Sequence, residues 1–66
     1  MRGTAEEYLT QYGANFREKR LQSELTQREV AKFLNISQAI ISHIETGKML
    51  PPIEIEDALN EIYRTR

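Results

Sequence analysis

In this chain of 66 residues the side chains suited to specific hydrogen bonding gather in one short stretch, Ser37, Gln38, Ser42 and His43, with the small Ala39 among them. Bond-making chemistry finds no footing: no nucleophile, base and orienting group recur near one another, and there is no phosphate loop. The reading is therefore not that of an enzyme. Cys is absent, which excludes disulfides and thiolate metal sites, and the lone His43 cannot assemble a metal site by itself. No cofactor is implied. A primary amide such as Gln38, by contrast, donates and accepts side by side, which suits the N7 and N6 edge of adenine in a DNA major groove. Ala39 can only offer a methyl to a thymine or leave room for water, and His43 could reach a base or a phosphate one helical turn further on.

Residues 26–47 supply the elements that would hold these side chains, as two short helices joined by a tight turn. Thr26 is followed three residues later by Glu29, a capping box that starts the first helix, and Ser37 is placed to cap the second in the same way. Asn35 stands where the chain must reverse, and Asn tolerates the left-handed backbone such a turn needs. Gly47 is the natural stop. Val30, Ala31, Leu34, Ile36, Ile41 and Ile44 fit one packed corner, and Ala31 is small enough to let two steeply crossing helices touch. With these facing inward, Ser37, Gln38, Ala39, Ser42 and His43 face outward. Ile40 is either core or a thymine-methyl contact. Thr26 and Gln27, at a helix start with free amides and a positive dipole end, together with Thr46 and Lys48 beyond the second helix, are candidate phosphate contacts.

The stretch TQREVAKFLNISQAIISHIETG resembles the helix-turn-helix of the phage repressor and Cro family, also called the xenobiotic-response-element family. The resemblance rests on Gln27, Val30-Ala31, Leu34-Asn35-Ile36-Ser37 and Ile41-Ser42 with Ile44-Glu45 and Gly47, and extends upstream to residues 16–20 and Leu25 and downstream to Pro52. Asn35 departs from it, since the family more often has Gly there. The resemblance implies an all-α fold, a small lambda-repressor-like helix-turn-helix bundle of four to five helices. It also implies that Arg20 pairs with Glu45 to lock the first helix against the reading helix, and that Gln38 contacts a base.

Upstream, Thr4 to Glu7 form another capping box, and the spacing predicts a helix from Ala5 to about Ser23 with one interruption. Tyr8 or Leu9, Tyr12 and Phe16 make its apolar stripe. Gly13 lies inside it at a helix cost of about 1 kcal/mol, so a bend or a split is expected there. Residues 1–12 are an extension that the motif does not explain. Downstream, Met49 and Leu50 either close the core or form a dimer contact, and residues 53–64 read as a final helix with Ile55, Ala58, Leu59 and Ile62 on one face and Tyr63 at its border. The family usually continues with a fifth helix. Here either residues 1–12 take its place, or the pairing surface differs, or the sequence is part of a longer repressor.

The length fits one domain, near the lower limit for burying a core without staples, and a dimer would help it. The net charge of −1 is unevenly spread: residues 15–50 carry six Lys or Arg against four Glu, while acid prevails in residues 51–66. No apolar run approaches the roughly 20 residues of a membrane span, and no signal-peptide pattern opens the chain, so a cytoplasmic protein is the default, nucleoid-associated if bacterial or phage. The function implied is a sequence-specific regulator of transcription, most often a repressor, that binds double-stranded DNA as a homodimer. The alternative is a protein-interaction module of the same fold, its DNA face silent and a protein partner bound through Met49, Leu50 and the N-terminal stripe.

Overall fold

The computed structural model describes residues 5–65, which form four helices: α1 (Ala5–Gln22), α2 (Gln27–Leu34), α3 (Gln38–Glu45) and α4 (Ile53–Thr65). Each of the first three stops in the same way. Glu24, Asn35 and Gly47 adopt positive φ angles of 61°, 59° and 81°. The next amide then reaches back five residues, from Leu25 to the Arg20 carbonyl, from Ile36 to Ala31 and from Lys48 to His43. This closure satisfies carbonyls that a helix end otherwise leaves bare, and it turns the chain sharply enough for short helices to pack on one another. Asn and Gly enter the left-handed region readily, whereas Glu24 does so against a steric cost. The buried Leu25 that follows fixes that turn, through the hydrophobic contact that accompanies such a stop.

The start of α2 is the capping box expected from Thr26 and Glu29: the Thr26 hydroxyl accepts from the Glu29 amide at 3.0 Å and the Glu29 carboxylate accepts from the Thr26 amide at 2.9 Å. Ser37 differs from expectation. Its backbone has the extended N-cap conformation, but its side chain makes no capping hydrogen bond. The Ile40 amide, from which the hydroxyl would accept, donates instead to the Ser37 carbonyl at 3.1 Å, and Ile40 has no carboxylate to add the reciprocal bond of a capping box.

Phe16, Leu25, Val30, Ala31, Ile41, Ile44 and Leu59 form the buried core, with Leu34, Ile36, Ile40, Met49, Ile55, Ile62 and Tyr63 packed half-buried against it. Leu9 rather than Tyr8 turns inward, leaving Tyr8 exposed.

The predicted interruption of α1 is absent. The helix runs through Gly13 unbroken, because the glycine is needed for packing rather than for a bend. A Cβ there would lie 2.2 Å from the Ile44 carbonyl oxygen and 2.8 Å from that of Glu45, so only glycine lets α1 rest on the end of α3. Just under a turn back along α1, the backbone of Thr10 would meet a Cβ on Gly47 at 2.8 Å. Residues 5–12 of the extension are thus the opening turns of α1, seated against the loop after α3. The capping box predicted at Thr4 lies outside the described residues. An aromatic series ties α1 to α4: Tyr12 meets Phe16 edge to face at 5.2 Å, Phe16 meets Tyr63 at 6.5 Å, and the Tyr12 hydroxyl donates to Glu56. Among the described residues no helix is long and apolar enough to cross a membrane.

Gly13→Ala would gain about 1 kcal/mol of helix propensity at an open site. Here overpacking against backbone should outweigh it and destabilise the fold by about 1–3 kcal/mol, read from urea unfolding followed by circular dichroism. A more stable variant would contradict the close approach. Burial first, and then the bond to Glu56, pushes the Tyr12 phenol up to about 12 from its usual 10.0. Burial, followed by the charge of Glu45, does the same to Tyr63. A raised folded pKa means that stability is complete below the unfolded value near 10 and is lost as pH climbs through 12. Urea midpoints should therefore fall between about pH 10 and about pH 12, and less steeply in Tyr12→Phe.

Candidate nucleic-acid interface

The inward side of α3 is fixed by a buried ion pair. Arg20 Nε donates to Glu45 Oε2 at 2.7 Å and Nη2 to Oε1 at 3.2 Å, while Nη1 donates to the Leu25 carbonyl at 2.7 Å. Both residues are buried, with 7% and 5% of their surface exposed, which separates this bridge from a surface pair. Gln27 extends the network: its Nε2 donates to Glu45 Oε1 at 3.0 Å, and its Oε1 accepts from Gln38 Nε2 at 3.4 Å. A continuous set of hydrogen bonds thus runs from α1 through the end of α3 and the start of α2 to the first residue of α3. Among the described residues no buried side-chain nitrogen or oxygen lacks a partner.

With that side held, Ser37, Gln38, Ala39 and His43 are exposed together and Ser42 is half-buried beside them. Ile40, open between core and base contact from sequence, is half-buried against the core. Around this face, Thr26, Thr46 and Lys48 are exposed and Gln27 is half-buried. Thr46 also ties off α3, its hydroxyl donating to the Ser42 carbonyl at 2.9 Å. At α2 the Thr26 amide and hydroxyl are engaged with Glu29, whereas the amides of Gln27 and Arg28 have no partner among the described residues. Arg28 was not singled out by its sequence context. Its exposed cation stands at the same positive helix end, and its place beside Gln27 in the first turn was the available signal. Met49 packs against the core, while Leu50 is 53% exposed, so the structure separates two residues that sequence had grouped.

Two short helices crossing through a left-handed turn, with the second presenting a polar face and the first an open amino end, define a helix-turn-helix domain. A family model described as helix-turn-helix, of the Cro/C1 type, matches residues 16–65. The chain belongs to that family, one of DNA-binding transcription regulators. No curated protein matches it.

Glu45→Ala would strand the Arg20 guanidinium in the interior, and a loss of about 3–5 kcal/mol is expected from denaturant unfolding. A loss under about 1 kcal/mol would instead be that of a solvated surface pair.

Proposed function

We propose that this chain is a sequence-specific repressor of transcription, which lays α3 in the major groove of double-stranded operator DNA. The observation that carries the proposal is the two-sidedness of α3. Ile41, Ile44 and Glu45 are buried in the interior, and Gln38, Ala39 and His43 are exposed to solvent, with the Gln38 side chain bonded only to Gln27 among the described residues. A side chain exposed on a helix whose other face is buried can test donors and acceptors on base edges without refolding anything, and Gln38 need give up only its bond to Gln27.

In this reading Gln38 is the principal base contact, with Ala39 against a thymine methyl, His43 a turn further along, and Ser37 and Ser42 at the margins. Gln27, Thr26, Thr46 and Lys48 set the register on phosphates, aided by Arg28 and the open amides of α2, which bind phosphate without altering net charge. That answers the difficulty posed by a net charge of −1. The protein acts in the cytoplasm as a two-fold dimer on half-sites about 34–36 Å apart, with exposed Leu50 at the contact between protomers. It performs no catalysis. A second reading, a protein-interaction module with a silent DNA face, draws on the exposure of Leu50 and Ile53, at 53% and 66%.

Selection of bound duplexes from a random pool should return a two-fold symmetric site. On that site Gln38→Ala should erase preference at one base pair per half-site, a loss of about 1–3 kcal/mol, while other positions keep theirs. Lys48→Ala should weaken all sequences alike and flatten the salt dependence by about one phosphate contact. If no duplex is enriched, the protein-interaction reading takes over. If Gln38→Ala leaves the selected sequence unaltered, the role given to Gln38 is wrong.

A further inference from the structure

Side chains of α1 and α4 meet through Tyr12, Phe16 and Tyr63, and a cleft of about 530 Å³ lies between residues of the carboxyl-terminal parts of the two helices. Its lining is Lys19, Gln22 and Ser23 from one side and Asn60, Tyr63 and Arg64 from the other. No aliphatic side chain lines it, which disfavours a partner helix that would seat an apolar stripe. The volume lies within the range of about 300–1,000 Å³ typical of small-molecule sites. None of the six residues belongs to α2 or α3, so the cleft is separate from the DNA face.

Gln22 donates to Glu18 and the Ser23 hydroxyl to the Lys19 carbonyl, but the other four lining side chains keep free donors. Lys19 makes no ion pair among the described residues. Its ammonium lies over the Phe16 ring, 5.6 Å from the centroid. The Asn60 amide and the Tyr63 hydroxyl form no hydrogen bond among the described residues. Arg64 is engaged by Glu61 through Nη2 alone, which leaves its other N–H groups free. Other carboxylates stand near: Glu18 accepts from Gln22, the charge of Glu45 acts on Tyr63, and Glu56 is occupied by the Tyr12 hydroxyl. The half-buried ring of Tyr63, backed by Phe16, adds a flat apolar wall.

We propose that this cleft binds a small aromatic organic anion, its ring stacked on Tyr63 and its carboxylate or phosphate held by Lys19, Asn60 and Arg64. Charge-assisted hydrogen bonds to such an oxyanion are the strongest these side chains can make, and the ring contact supplies shape selectivity that a bare ion lacks.

The test is an amide-resolved NMR titration of the whole chain with 4-hydroxybenzoate, with 4-hydroxybenzamide as the uncharged counterpart and inorganic phosphate as the bare ion. The carboxylate should give saturable shifts at Lys19, Ser23, Asn60 and Tyr63, and the amide should bind about tenfold more weakly. Lys19→Gln should weaken binding by about tenfold, while Arg17→Gln, an exposed cation of the same helix outside the cleft, should leave it unchanged. Both positions are exposed, so the variants should retain the parent spectrum. Shifts that never saturate, shifts reproduced by phosphate alone, or equal weakening by the two substitutions would overturn the proposal. The readout involves no DNA, so it stands or falls independently of operator binding.

Discussion

A guanidinium and a carboxylate withdrawn from water each lose several kcal/mol of solvation, and their mutual attraction offsets this only when the remaining donors and lone pairs are also satisfied. Arg20 and Glu45 meet that condition with help from two other places in the chain. The Leu25 carbonyl takes the third Arg20 nitrogen, and Gln27 gives Glu45 its additional donor. The pair therefore imposes a demand on geometry. The turn after α1 must deliver a bare carbonyl, α2 must begin beside it, and α3 must end at the same point. Much of the architecture is a solution to that demand. Gly13 lets α1 come close enough for Arg20 to reach, and Ala31 lies buried where α2 and α3 cross.

The sequence was most informative where a single residue type has a single physical use. Asn35 and Gly47 announced left-handed stops, Thr26 with Glu29 announced a helix start, and the alternation of Ile41 and Ile44 with polar neighbours marked the two sides of α3. It was least informative where the cause lay across space. Glu24 takes a conformation its type disfavours because Leu25 must enter the core, and nothing local to Glu24 records that. Gly13 reads as a weakness of α1 until the carbonyls of α3 are seen beside it. Ser37 has the right type and position for a cap, but the Ile40 amide it would accept from is taken by the Ser37 carbonyl, and residue type does not reveal that competition.

The candidate interface shows the same division. Exposure of Gln38, Ala39 and His43 followed from helical periodicity alone, and so did the inward turn of Ile41 and Ile44. The engagement of Thr26 with Glu29, the unoccupied amides of Gln27 and Arg28, and the parting of Met49 from Leu50 needed coordinates, because each depends on which neighbour reaches a group first. The pairing of Tyr12 with Glu56 across 44 residues is a further case, since neither residue stands in a recognisable local pattern.

One link sets Gln38 apart from its neighbours on the exposed face. Its amide leans on Gln27, and Gln27 leans on the buried Glu45, so this side chain is steadied from beneath, whereas Ala39 and His43 have no such support among the described residues. Substitutions at Ala39 and His43 should therefore carry little structural cost, whereas one at Gln38 removes a partner of Gln27. Gln38 is the tethered letter in an otherwise erasable word: changing it loosens the hand that holds it.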